Sequence, residues 1–275
     1  MQLIAQGPLQ KMPAELATEV KYRLQLGDQS VDLNSYVGQS IRLAYQGQIH
    51  CTHCGRKTNK SFAQGYCYPC FKKLPQCDLC IMSPEKCHFD QGTCRDPDWG
   101  EQFCFQSHYV YLANSSGIKV GITRGTQVPT RWIDQGAIQA LPILRVETRF
   151  QSGVVERVFG EHITDRTNWR AMLKGQVDPL DLVAERERLF ELCRSELTEL
   201  ENRFGLQALQ RLPDAEVLEL NYPVLNYPAK ISSLNFDKTP VVEGVLQGIK
   251  GQYLILDTGV INLRKFTAYE VQFSG

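Results

Sequence analysis

Residues 109–123 read Tyr109-Val110-Tyr111-Leu112-Ala113-Asn114-Ser115-Ser116-Gly117-Ile118-Lys119-Val120-Gly121-Ile122-Thr123. Two apolar runs flank the polar turn Asn114-Ser115-Ser116-Gly117, which predicts a β-hairpin. Side chains alternate across a strand, so Ile118, Val120 and Ile122 share one face and Lys119, Gly121 and Thr123 the other. Pro129 and Thr130 then open a short helical stretch carrying Arg131 and Trp132. A strand near residues 143–149 follows. Ser152 is a candidate cap for a helix from about Gly153 to Ile163 that bears Glu156. Hairpin, helix, strand and helix make a small α/β core within residues 105–215.

Working outward, residues 179–204 predict one long helix. Asp178 is its expected N-cap, Pro179 its first residue and Gly205 its stop. Val183, Leu189, Phe190, Cys193, Leu197, Leu200 and Phe204 recur at helical spacing, so Cys193 is expected in the core. From Gln176 to Leu220, 11 acids face 5 bases, a net charge of −6 that repels nucleic acid. Residues 1–49 carry strand signals at 20–26 and 40–45, expected as an antiparallel sheet or small barrel. Residues 216–275 carry five more, at 216–220, 241–246, 253–256, 260–263 and 269–273, with turns at Gly248, Gly251 and Asp257-Thr258-Gly259. The expected fold class is therefore α+β. It has four segments: β-rich 1–49, cysteine-rich 50–104, the α/β core 105–215 and β-rich 216–275.

The 275-residue chain has 30 Lys and Arg against 30 Asp and Glu, a net charge of zero. That excludes a basic footprint over the whole protein but not a local basic patch. With 43% hydrophobic and 22% charged residues, the chain can bury a core. No apolar run approaches the roughly 20 residues of a membrane span. Met1 to Gln10 lack the basic start and apolar stretch of a secretory signal. A soluble, cytoplasmic protein with no membrane partner is the expectation. Oligomeric state is not legible.

Nine of the ten cysteines lie between Cys51 and Cys104. Without an export signal, Cys-x-x-Cys pairs favour metal ligation over disulfides. Cys51, Cys54, Cys67 and Cys70 form two such pairs separated by twelve residues, a zinc-ribbon-like pattern. Four thiolates close a structural zinc site and leave no open position for water. His50 and His53 are then bystanders. A second zinc site is expected from Cys77, Cys80, Cys87 and Cys94, with His88, Cys104 and His108 as alternates. An iron–sulfur cluster is the other occupant that four thiolates admit. Between Cys51 and Pro75 stand Arg56, Lys57, Lys60, Lys72 and Lys73 with no acid, interleaved with Phe62, Tyr66, Tyr68 and Phe71. Bases with aromatics suit phosphate contact and base stacking. The same aromatics also suit the core of a small zinc ribbon. These five bases and Arg124 are the candidate nucleic-acid contacts.

The ordered set from Tyr109 to Asn168 resembles the GIY-YIG nuclease superfamily over about 60 residues. Tyr109-Val110-Tyr111 resembles the GIY strand, with Tyr111 at its tyrosine, and Lys119-Val120-Gly121 resembles the YIG strand. Arg131 matches the helix arginine, Glu156 the metal-binding glutamate and Asn168 a downstream polar residue of some members. Tyr109 replaces the first glycine and Lys119 the second tyrosine, as in the KIG and KVG variants of divergent branches. The whole chain is also similar to an uncharacterised bacterial family of unknown function.

The resemblance implies a phosphodiester-cleaving site with one magnesium or manganese ion on Glu156. Arg131 would hold the phosphate through its planar fork. Tyr111 would orient or deprotonate water. Lys119 would act as a neutral base or a charged clamp, and an ordinary lysine pKa of about 10.4 favours the clamp. A divalent-metal nuclease acting on DNA or RNA, with two structural zincs, is the leading expectation. A nucleic-acid-binding module without catalysis and a zinc-stabilised protein–protein adaptor are the alternatives.

Overall fold

The structure, a computed structural model, describes residues 1–164 and 166–275. The chain opens with five strands: β1 (Leu3–Pro8), β2 (Ala14–Glu15), β3 (Lys21–Leu26), β4 (Gln29–Asp32) and β5 (Ser40–Ile49). Three short helices follow in the cysteine segment: α1 (Tyr68–Lys73), α2 (Leu79–Met82) and α3 (Pro97–Cys104). The central core runs β6 (His108–Asn114), β7 (Ile118–Arg124), α4 (Thr130–Asp134), β8 (Gln139–Val146), α5 (Arg149–Gly160), α6 (Trp169–Leu173), α7 (Leu182–Leu192) and α8 (Arg194–Phe204). The last strands are β9 (Leu209–Arg211), β10 (Leu218–Glu219), β11 (Val241–Lys250), β12 (Tyr253–Leu256), β13 (Gly259–Asn262) and β14 (Tyr269–Ser274). The fold is α+β with antiparallel sheets.

The two ends of the chain share one open sheet, ordered β1-β14-β5-β11-β12-β13. Phe273 faces Leu43 across β14 and β5, and Val242 faces the same Leu43 from β11. No barrel closes. A second sheet, β10-β8-β6-β7 with β9 also on β8, forms the middle of the molecule. The hairpin is in register as its alternation requires: Tyr111 faces Gly121, and Ala113 faces Lys119.

That middle sheet separates two cores. Val110, Leu112, Val120, Ile143, Val155, Phe159 and Leu189 pack between it and the helices α5, α7 and α8. Tyr111, Ala113 and Ala140, with Trp132 and Ile133 of α4, join the larger core of the terminal sheet. The face that carries Tyr111 and Gly121 therefore meets the terminal β-module.

Three local expectations are corrected. The single helix 179–204 is two, joined at Cys193, whose ψ of 19° departs from helical geometry. Its cap is Asp181, which accepts from the Ala184 amide at 2.9 Å. Residues 178–180 are held to the sheet instead. Asn114 Nδ2 donates to the Asp178 carbonyl at 2.8 Å, and the Leu180 amide donates to Gln139 Oε1 at 2.8 Å. The helix bearing Glu156 starts earlier than Ser152. Thr148 and Gln151 form a reciprocal capping box, and Ser152 Oγ donates back to the Arg149 carbonyl. The strand expected at 143–149 spans Gln139–Val146.

Candidate metal centre and catalytic face

Cys51 lies two residues beyond the end of β5, Cys54 sits in the turn after it, Cys67 caps α1 and Cys70 lies inside that helix. Gly55, at φ +69°, takes the left-handed turn of the first knuckle and its amide donates to the Cys51 carbonyl at 2.9 Å. The sulfurs of Cys51, Cys54, Cys67 and Cys70 all lie within 4.8 Å of one another, and those of Cys54 and Cys67 are 3.7 Å apart. Four sulfurs each about 2.3 Å from a tetrahedral ion are about 3.8 Å apart, so the group fits a metal ion. Burial raises the Cys51 thiol, but amide donors from Cys54, Cys67 and His53 outweigh it and bring the pKa down to about 6. Those N–H groups favour the thiolate that a metal needs. Cys70 moves the other way, pushed up to about 12 by lost hydration and by hydrogen bonds shared with Cys67, Cys54 and Cys51. A bound cation favours the thiolate at every position.

The rest of the knuckle is tied to the terminal sheet. The Thr58 amide donates to the Ile49 carbonyl, and Ser61 Oγ donates to the Thr267 carbonyl, both at 2.9 Å. His50 Nδ1 is 3.0 Å from Glu270 Oε1, and His53 is exposed. The rings of Phe62 and Phe71 stack at 5.7 Å, with Tyr68 5.5 Å from Phe62. These aromatics form a small core, while Arg56, Lys57, Lys60, Lys72 and Lys73 are all exposed around it. Arg124 lies apart on β7, its guanidinium 5.4 Å from the Phe103 ring.

The remaining cysteines are distributed differently from the expectation. Cys80 is on α2, Cys87 follows the 3-10 turn Pro84–Lys86, Cys94 is in a loop and Cys104 ends α3. These four line a cavity of about 20 Å³ that Cys77 does not line. Cys77 is buried, with Arg95 and Cys51 as the charges that bear on it. Asp78, Cys80 and His88 form a second group with ligand atoms within 4.8 Å of one another. Its carboxylate is already engaged. Asp78 Oδ1 accepts from the Leu79 amide at 2.6 Å, and Oδ2 pairs with Arg95 Nε at 2.9 Å.

The hairpin, α4 and α5 bring Tyr111, Arg131 and Glu156 into one neighbourhood. Tyr111 is fully buried, and its ring meets Trp132 edge-on at 5.8 Å. Its hydroxyl accepts from Gln135 Nε2 at 2.5 Å, and the Arg131 charge bears on it. Burial raises the phenol's pKa, the Arg131 charge and the Gln135 donor oppose that rise, and the Glu156 carboxylate adds to it. Burial has the upper hand, so Tyr111 is a neutral phenol at pH 7. Arg131 is exposed, Glu156 half-buried and Lys119 buried opposite Ala113. Asn168 has a different occupation: its Oδ1 caps α6 by accepting from the Ala171 amide at 3.2 Å.

Gln135, Asp134 and Arg264 are neighbours that the motif reading missed. Gln135 stands four residues after Arg131, so helical spacing was an available signal. Arg264 was not findable. It arrives from the distant C-terminal module, bonds Gln64 and lies 3.4 Å from Asp134 Oδ2. His108 is buried opposite Arg124, with Nε2 unpartnered among the described residues. Burial lowers its pKa to about 4, the Gln106 carbonyl opposes this, and the Arg149 and Arg124 charges reinforce it. It is a neutral imidazole at pH 7.

No helix of the described residues is long and apolar enough to cross a membrane. No curated protein and no solved structure matches the chain. One family model does, over residues 38–271, a span holding the four-cysteine knuckle, the hairpin and most of the terminal sheet. The chain belongs to that family, DUF2797, described as a protein of unknown function.

Proposed function

We propose that this chain is a zinc-containing protein acting on nucleic acid, a divalent-metal-dependent nuclease whose site, similar to that of the GIY-YIG superfamily, comprises Tyr111, Lys119, Arg131 and Glu156. The observation that carries the reading is the shared neighbourhood of three of these residues from separate elements. Arg131 of α4 and Glu156 of α5 are both close enough to Tyr111 of β6 to bear on the phenol's charge. Gly121 supports the same arrangement, since any Cβ there would collide with the Tyr111 ring.

Each side chain has a role its surroundings permit. Arg131, exposed at the tip of the network, grips a phosphate through its planar fork. Glu156 would hold a magnesium or manganese ion together with waters, and that ion would supply charge stabilisation and an activated water. Tyr111, kept neutral by burial, orients its partners and does not act as a base. Lys119 contributes positive charge on the same strand face as Gly121. The exposed Arg56, Lys57, Lys60, Lys72 and Lys73, together with Arg124, would contact backbone phosphates away from these residues. The four-thiolate knuckle would hold zinc as a folding element, in a cytoplasmic setting that keeps its thiols reduced.

One observation favours the second reading, a nucleic-acid-binding module that does not cut. Tyr111 is fully buried against the terminal β-module, which limits access of a phosphodiester to its hydroxyl. The deciding experiment is cleavage of labelled single- and double-stranded DNA and RNA with magnesium or manganese, beside Glu156→Ala. Metal-dependent cutting that disappears in the variant is the expected result. Salt-sensitive binding without cutting selects the binding module. Neither binding nor cutting selects a protein–protein adaptor and overturns the proposal.

A further inference from the structure

Nothing in the first metal centre uses the five cysteines between Cys77 and Cys104. Four of them converge from four separate pieces of chain. Cys80, Cys87, Cys94 and Cys104 line one small cavity, and its volume of about 20 Å³ is close to that of a single water-sized sphere. The thiols of Cys87, Cys104 and Cys94 each bear electrostatically on Cys80, and Cys87 and Cys94 bear on Cys104. Cys77 bears on neither.

Arg149 does not line the cavity but stands close enough to two of its cysteines for their charges to bear on it. Arg149 donates through Nη2 to the Ile81 carbonyl at 2.6 Å, yet its buried Nε has no partner among the described residues. The groups that stabilise its charge are Cys104 and Cys80. A buried guanidinium N–H left unpaired is costly, and thiolates beside it would relieve that cost. Four thiolates around one divalent ion carry a net charge of −2, which a buried arginine halves. Gly100 leaves room on the far wall, where a Cβ would stand 3.4 Å from the Cys94 sulfur and 3.2 Å from the Phe89 ring. Access exists as well, because Cys87 and Cys104 also line an adjoining cavity of about 340 Å³.

We propose that Cys80, Cys87, Cys94 and Cys104 form a second tetrathiolate zinc site, with Cys77 outside it and Arg149 as its buried counter-charge. The ion draws the four sulfurs to about 3.8 Å from one another and closes the cavity. The proposal leaves Asp78 and His88 outside the ligand set: Asp78 Oδ2 is held by Arg95 Nε at 2.9 Å and lies 3.5 Å from His88 Nε2. The site fixes α5 to the cysteine segment through Arg149, its first residue. The inference is independent of the nuclease reading.

The test is zinc content per chain of the full-length protein, purified without chelator, by plasma mass spectrometry. Wild type carries two zinc ions, Cys77→Ser and His88→Ala keep two, and Cys104→Ser and Cys80→Ser keep one. Should Cys104→Ser aggregate, Cys104→His supplies a replacement ligand and retains two ions. Cobalt substitution adds a second readout: thiolate-to-cobalt absorption corresponds to four sulfurs at each of two sites and halves in Cys104→Ser. One zinc in the wild type, loss of a zinc from Cys77→Ser or His88→Ala, or an iron–sulfur absorption spectrum overturns the proposal.

Discussion

Tyr111 and Gly121 are paired across the β6–β7 hairpin, and the tyrosine ring lies directly over the glycine Cα. A Cβ at residue 121 would stand 2.6 Å from the Tyr111 hydroxyl and 2.7 Å from the ring carbon that bears it. The ring has nowhere to retreat, because Trp132 borders it and Gln135 holds its hydroxyl. A glycine that looks like a flexible hairpin residue is a packing requirement for the tyrosine.

Gly121→Ala is therefore expected to destabilise the protein by about 1–3 kcal/mol, the usual cost of overpacking a filled core. Gly160→Ala is the control. It ends α5 with nothing within 4 Å of the added Cβ, and alanine is the better helix former. Urea denaturation compares the two. Equal stabilities for the pair would show that the Tyr111 ring is free to move.

Removing metal from the Cys51–Cys70 knuckle should melt that segment and spare the terminal sheet. The knuckle has only a small aromatic core of its own around Phe62, whereas β5 is paired on both sides, with β14 and β11. Cys54→Ser removes the most exposed ligand and should release one metal ion. Amide hydrogen exchange should then rise across residues 51–73 while β5, β11 and β14 keep their protection. Loss of protection in the sheet would mean that the metal supports the whole β-module.

The parts of this molecule legible in its sequence are those written in short stretches. The hairpin shows through the alternation of Tyr109–Thr123, and the first metal group through two Cys-x-x-Cys pairs. The α5 capping box, Thr148 with Gln151, was equally local, yet Ser152 offered a competing cap three residues into the real helix. What could not be read is register between distant segments. Strand β1 meets β14 only in three dimensions, and no residue of either specifies that partner. The same holds at the second cysteine group. Spacing makes Cys77 the natural partner of Cys80, but the 3-10 turn of residues 75–77 leaves it beside Cys51 and Arg95, while α3 brings Cys104 back to the cavity. The end of the long helical pattern is a further case. Asp178 and Pro179 look like a start, and Asn114 and Gln139 on the sheet hold that stretch extended.

Asp134 joins α4 to both termini of the chain and should be costly to change. Its carboxylate is nearly buried, 2.5 Å from Lys11 Nζ and 3.4 Å from Arg264 Nη1, and its Oδ1 accepts from Gln252 Nε2 at 2.9 Å. Gln252 in turn bonds both the amide and the carbonyl of Met12. Asp134→Ala strands Arg264 without its carboxylate, and breaking one side of a buried pair typically costs about 3–5 kcal/mol. The exposed Arg42–Glu243 pair is the comparison, where Glu243→Ala should cost less than about 1 kcal/mol. Equilibrium denaturation of both variants checks the contrast. Similar small losses would show that water reaches Asp134 freely.

Lys250 provides a pH-dependent prediction with a definite sign. It is fully buried at the end of β11, its ammonium 5.3 Å from the ring centroids of Tyr222 and of Tyr227. Burial pushes its pKa down from 10.5 to about 8. Between those values the unfolded chain binds more protons than the folded one, so stability rises with pH from about 8 to 10.5. Below pH 8 the folded state bears the full cost of the buried charge, on the order of 3 kcal/mol, offset by about 1 kcal/mol of attraction to the two rings. Lys250→Met keeps the volume and removes the charge. It should stabilise the protein at pH 7 by about 1–2 kcal/mol, and the advantage should vanish as pH approaches 10.5. The measurement is the difference in unfolding free energy between variant and wild type across that range, which cancels the titration of every other group. A difference that stays flat from pH 7 to 10.5 would show that Lys250 keeps an ordinary pKa in the folded protein.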